Sequence, residues 1–219
     1  MTIRENGAEQ TVDGEDFIAT FPITELVQTL DPAPPDEVLA AARSLKFRDL
    51  IVVFLALDRP QVSPDHWIYF PDPDLFFGRV HEPKNWSAAM ASEDKTGLVV
   101  EIFGFEHEPV WRESDEALIE RSAEGLADLG LIERSDLDGG IVVRHPKAYP
   151  LYEAGYREHM ETILGYLGEL SNLQCAGRNA LFRYTSGDRY MEMGMKAAEN
   201  VLGTARHDVE AVATEQEYA

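Results

Sequence analysis

CAGRNALFRYTSGDRYMEMGMKAAENVL, residues 175–202, predicts a strand end, a tight turn, a loop of arginines and aromatics, and then a helix. Asn172–Ala176 is short and runs into Gly177, as a strand entering a turn does. From Asp188 onward, Met191, Met195, Ala198 and Leu202, with Gly194 among them, have the i, i+4, i+7, i+11 spacing of one helix face. Asp188 stands where an N-cap belongs and Gly203 where the helix would stop.

Such a corner has a definite chemistry. A helix N-terminus presents unpaired N–H groups and a partial positive charge. Gly177 permits close approach of the backbone, and Arg178 and Arg183 add permanent planar cations. Together these suit a phosphate or an electron-rich ring edge. An ordinary strand–loop–helix corner with surface arginines would use the same residues, and local chemistry alone leaves both readings open.

The pattern GR-x4-RY-x3-D, followed by a helix containing Gly and Ala, resembles the C-terminal flavin-binding motif of one superfamily. That superfamily holds the flavin amine oxidases, protoporphyrinogen oxidase-like proteins and UDP-galactopyranose mutases. The resemblance implies that Gly177 and Arg178 contact the ribityl or phosphate region of FAD. It implies that Asp188, Tyr190 and Met191 lie at the helix start near the flavin pyrimidine edge. Tyr149-Pro150 resembles a segment that precedes the helix leading back to the Gly-Arg turn, on the substrate side of the flavin. Tyr149, Tyr152, Arg183 and Tyr184 are thereby implied as substrate-facing residues. The match is dense from Lys147 to Leu202; upstream it rests on the Phe17–Leu26 corner, where a short strand meets Pro22 and a helix.

Working outward, the 219 residues suffice for one good core or for one domain and part of another. Asn6-Gly7 predicts a hairpin turn between Thr2–Glu5 and Thr11-Val12. Helices are predicted after Pro22, after the Pro-rich stretch 31–35, from Ser114 to Gly130 on an Ile119, Leu126 and Leu129 face, and from Tyr156 to Leu167. The run Leu50–Leu57 predicts a central strand. His66–Phe70, Leu75–Val80, Gly97–Phe103 and Ile141–Arg144 add further strands, giving an antiparallel sheet of about four to six.

The expected fold class is therefore α+β. An antiparallel substrate-binding sheet domain with helices (31–146) interrupts a Rossmann-type FAD-binding domain, of which only the C-terminal remainder (1–30 and 147–203) is present; 204–219 is a disordered tail. No G-x-G-x-x-G fingerprint occurs, although the resemblance implies a nucleotide-binding βαβ unit. Either this chain is a fragment of a longer protein or a separate Rossmann-containing polypeptide supplies that half as a partner, with FAD bound weakly or not at all by this chain alone.

Forty acidic residues against nineteen lysines and arginines leave a net charge of -21. Such a surface argues against nucleic-acid or anionic-membrane partners and predicts a halophilic protein, since salt screens dense like charge. There is no apolar run of spanning length and no signal-peptide pattern, so a cytoplasmic chain is expected. Cys175 is the sole cysteine and reads as a small buried residue. The six histidines lack metal-ligand spacing, and neither a nucleophile elbow nor a P-loop occurs.

Flavin enzymes need few protein acids, because the cofactor carries the redox step. The resemblance accordingly implies an FAD-dependent oxidoreductase that transfers a hydride from a small-molecule substrate to flavin. Two alternatives stand beside it. One is a mutase-like, flavin-dependent isomerase of a sugar nucleotide; the other is a non-catalytic fragment or partner subunit.

Overall fold

The computed structural model describes residues 1–212 and divides the chain into two compact units. Unit 1 joins Met1–Phe47 to the chain from Tyr149 onward, and unit 2 is Arg48–Ala148. Each has its own hydrophobic core.

Unit 2 is built on a five-stranded sheet of β4 (Lys46–Leu57), β5 (Trp67–Tyr69), β6 (Arg79–His81), β7 (Thr96–Gly104) and β8 (Leu137–Leu151). Their order across the sheet is β5-β6-β7-β4-β8. The pairs β5/β6, β6/β7 and β7/β4 are antiparallel, with Ile68 opposite Val80 and Val53 opposite Val100. Alternation places Ile51, Val53, Leu55 and Leu57 with Val80, Leu98, Val100 and Ile102 in the core. Helix α3 (Asp115–Asp128) covers them with Leu118, Ala123 and Leu126. Ser114 caps α3 by accepting the Ala117 N–H at 3.2 Å. Of the expected face Ile119, Leu126 and Leu129, Leu126 is fully buried and Ile119 packs against the core, joined by Leu118, Ser122 and Ala123; Leu129 is exposed because the helix has already ended.

Buried acids pin the loops of this unit. Asp49 accepts the backbone N–H groups of Glu106 at 2.8 Å and Lys147 at 2.6 Å. Glu82 accepts those of Val62 and Ser63 and the Thr96 hydroxyl. Each carboxylate so satisfied offsets the cost of its own burial.

Unit 1 opens with the hairpin β1 (Thr2–Glu5) and β2 (Ala8–Thr11). Its turn residues Asn6 and Gly7 both have positive φ, 50° and 82°, as a tight hairpin turn requires. Strand β3 (Phe17–Ala19) pairs in parallel with β9 (Leu173–Cys175). Helices α1 (Ile23–Thr29), α2 (Asp36–Ser44), α4 (Tyr156–Leu167) and α5 (Gly187–Val201) complete the unit. Val38, Ala41 and Ala42 of α2 share one core with Ile23, Val27, Met160 and Ile163. The Pro-rich stretch 31–35 is thus a turn inside unit 1 rather than a domain boundary.

The apolar face read on α5 is turned outward: Met191, Met195 and Leu202 are 67 %, 66 % and 74 % exposed, while Met193 and Ala197 are fully buried. Two expectations for the C-terminal region are corrected. The N-cap is Ser186, two residues before Asp188. Gly203 does end the helix: at φ 67° it donates to the Asn200 carbonyl, and Thr204 N–H reaches back to Glu199. The segment expected to be disordered from Thr204 is packed as far as Val212, with Val209 and Val212 in the core. Apolar residues at that spacing anchor a chain that composition alone marks as polar. Residues 213–219 of the expected tail lie outside the described residues.

Candidate functional site

The Gly177–Tyr190 corner is held from behind by backbone. Ala176 N–H donates to Ala19 O at 3.0 Å, and Ile23 N–H at the start of α1 donates to Asn179 O at 3.1 Å. Gly177 has φ 90°, and no atom lies within 4 Å of where its Cβ would stand, so bare backbone borders open space there. Phe182 has φ 47°, a sparsely populated conformation for a bulky residue. The conformation is stabilised by burial of its ring, edge-on to Phe47 at 5.0 Å.

Arg178 is the centre of the corner. Its guanidinium carbon lies 4.9 Å from the Tyr149 ring, 5.1 Å from Tyr184 and 5.4 Å from Tyr190, a cage of three aromatic faces around one cation. Its Nε donates to the Tyr190 hydroxyl at 3.1 Å. That hydroxyl also accepts Thr185 N–H at 2.7 Å and donates to Arg183 O at 3.1 Å. Burial works against the Arg178 charge, but hydrogen bonding to Tyr190 and the neighbouring Tyr149 leave its pKa above the ordinary guanidinium value.

The structure therefore brings Arg178, Tyr149, Tyr184 and Tyr190 together, with Gly177 adjoining. Tyr152 is one bond removed: its hydroxyl accepts Tyr184 N–H at 2.7 Å, and its ring stacks on Tyr156 at 4.6 Å. Burial raises the Tyr152 pKa despite that bond. Asp188 is exposed in the first turn of α5, its carboxyl held below the ordinary range by a hydrogen bond with Ser186. Met191 is exposed one turn on. Arg183 differs from the rest: its Nη1 donates to the carbonyls of Glu210 and Val212, the latter at 2.8 Å.

A second cluster in unit 2 escaped the sequence reading. Arg79 donates to both oxygens of the buried Glu101, at 2.9 and 2.5 Å, and His81 Nδ1 lies 3.5 Å from the same carboxylate. Burial pushes the Glu101 pKa up, but His81 and Arg79 outweigh it and the net direction is down. Trp67 and Tyr69, both exposed, flank Arg79 at 6.0 and 5.8 Å, and Trp86 meets Trp67 edge-on at 4.5 Å. The alternation Trp67-Ile68-Tyr69 opposite Arg79-Val80-His81 is the signal that could have found this shelf, since period 2 puts both outer pairs on one face. Among the described residues, no group of three His, Cys, Asp or Glu side chains could hold a metal ion. No helix among them is long and apolar enough to cross a membrane.

No protein-family model matches this chain, and no curated protein matches it. Solved structures do. A reduced UDP-galactopyranose mutase matches with a TM-score of 0.80 at 24 % identity, covering 98 % of this chain and 46 % of that one. A protoporphyrinogen oxidase-like protein from Exiguobacterium matches at 0.63 and 16 %, covering 91 % and 46 %. A protein from Pyrococcus furiosus matches at 0.54 and 13 %, covering 95 % and 46 %. The chain is thus similar in fold to these proteins and spans less than half the length of each.

Proposed function

We propose that this chain supplies part of the FAD site of a flavin-dependent enzyme, and that the Arg178 corner is the part that touches the cofactor. The observation that carries this reading is the pairing of a bare, positive-φ Gly177 bordering open space with a fixed cation beside it. That pairing fits a large anionic and aromatic group, which needs close backbone approach and permanent positive charge. Gly177 and Arg178 would hold it, with Asp188, Tyr190 and Met191 at the start of α5. When bound, a flavin supplies the acceptor for a hydride from substrate, the chemistry of an amine oxidase-type oxidoreductase.

The chain's own residues have separable tasks in this reading. Arg178 supplies charge where reduced cofactor or phosphate is negative, and the three tyrosines keep that charge in place. The Tyr190 hydroxyl, spent on three hydrogen bonds within the loop, fixes the corner rather than exchanging protons. Tyr149 and Tyr184 present ring surface on the substrate side, with Tyr152 behind them. Arg183 would reach substrate only after leaving the carbonyls of Glu210 and Val212.

A mutase-like isomerase is the second reading, favoured by the unit 2 shelf. Exposed Trp67 and Tyr69 beside the Arg79–Glu101 pair offer ring faces and polar edges suited to a sugar nucleotide. Neutral or phosphate-bearing ligands are separated by titrating UDP-sugar and sugar alone and following tryptophan fluorescence. Tight UDP-sugar binding supports the mutase; its absence leaves the oxidoreductase.

The third component of the reading is a Rossmann-containing polypeptide, whether separate or continuous with this chain. Two three-residue parallel strands make a very small sheet, and parallel sheets are normally covered on both faces. Ile18, Phe21, Met191 and Met195 are exposed on the elements nearest that pair in sequence. The experiment is an FAD titration read by flavin absorbance, with this chain alone and with such a partner added. Stoichiometric binding only with the partner is the expected result. Tight binding by this chain alone removes the need for the partner, and no binding in either case refutes the flavin reading.

A further inference from the structure

Residues 204–212 cross unit 1 as a strap with discrete anchors. Asn200 brackets His207 on both sides, its Nδ2 donating to His207 O at 3.0 Å and its Oδ1 accepting His207 N–H at 2.6 Å. His207 Nε2 lies 2.5 Å from Glu199 Oε2. Asp208 Oδ1 accepts the N–H groups of Glu210 and Ala211, which closes a local turn. Arg183 then clamps the far end through the Glu210 and Val212 carbonyls. Val209 and Val212 supply the apolar part.

Behind the strap is a cleft of about 180 Å³ lined by Leu164, Leu167, Leu173 and Cys175 from the body of the unit, and by Val209 and Glu210 from the strap. Cys175 is 8 % exposed, and burial with the nearby Glu210 pushes its thiol up to about 12. It is unreactive as long as it stays covered. The strap's polar anchors are side-chain hydrogen bonds rather than a helix or sheet ladder, its local turn needs nothing from the body, and Val209 and Val212 are the apolar surface that opening exposes. Such a segment can open while the rest of the core stays folded.

We propose that residues 204–212 open as one unit, uncovering the cleft and Cys175 and releasing the Arg183 guanidinium next to the Arg178 cage. The Arg183 carbonyl receives the Tyr190 hydroxyl that also binds Arg178, so the clamp and the cage share a residue. Opening would thus free a second arginine beside the site, a device independent of which cofactor or substrate is bound.

The sole cysteine makes the test direct. The rate of Cys175 modification by an aromatic disulfide reagent is measured against urea, beside the global unfolding curve. Strap opening predicts a rate that is nearly flat at low urea and joins the global branch only near the transition. Arg183→Gln and Asn200→Ala should each raise the flat rate roughly tenfold, the scale of one lost charge-assisted bond for Arg183 and of two neutral bonds for Asn200, with a much smaller shift of the global midpoint. If Arg183→Gln does not fold, His207→Ala attacks the same strap from its other end. A rate that follows global unfolding from zero urea overturns the proposal. So does a rate that rises in the variants only in proportion to lost global stability.

Discussion

Arg178 and Tyr190 hold one another: the guanidinium donates to a hydroxyl 3.1 Å away, and the same ring lies 5.4 Å from the cation. Tyr190→Phe keeps the ring and removes the hydroxyl, leaving Thr185 N–H and Arg183 O without that partner. A loss of about 1–3 kcal/mol is expected in urea unfolding, the usual cost of stranding such groups. Arg178→Lys should weaken FAD binding by the partnered protein, since an ammonium cannot spread across three aromatic faces as a guanidinium does.

Gly177→Ala separates strain from function. The new methyl meets open space, so the cost is the positive φ alone, about 1 kcal/mol in thermal or urea unfolding. FAD affinity of the partnered protein should fall far more than stability, because the methyl occupies the approach to the backbone. Equal, small effects on both would mean that nothing approaches Gly177.

Glu101 predicts an acid-sensitive unit 2. Its folded pKa is depressed, so its contribution is fully present above the unfolded carboxylate value and is lost as pH falls through the lower, folded value. The urea midpoint should therefore decline on acidification below the ordinary glutamate range. Glu101→Gln should lower the midpoint at neutral pH and flatten that decline.

The net charge of -21 predicts salt-dependent stability. The unfolding midpoint should rise from dilute buffer to molar potassium chloride, and an uncharged osmolyte at matched osmolality should not reproduce the whole effect. Full stability in dilute buffer would count against the halophilic expectation.

Much of the architecture was legible because it rests on short-range rules. Leu50–Leu57 reads as a covered strand by its length and β-branched content, and Asn6-Gly7 as a tight hairpin turn. The face of α5 was not legible, since Met191, Met195 and Leu202 compete with Met193 and Ala197 for the same core. Periodicity finds two apolar stripes there and cannot rank them. The Ser186 cap was hidden by Asp188, an equally good capping residue two positions on. The Arg178 corner could be located through its glycine and arginines, but its tyrosine cage joins Tyr149 to Tyr184 and Tyr190 across the intervening helix and strand. The Trp67–Arg79–Glu101 shelf needed strand register, which spacing within one segment does not give.

The pairing of Phe17 with Leu173 sets a temporal order on this molecule. During synthesis β3 precedes its neighbour β9, with all of Arg48–Ala148 made in between. The interposed unit can complete its own core while the first forty-seven residues still wait for their other half. A ribosome stalled once residue 148 has cleared the exit tunnel should therefore display a protease-resistant Arg48–Ala148 unit and a digestible Met1–Phe47 segment. Late closure of so long a loop leaves Met1–Phe47 open to chaperones until β9 has been made.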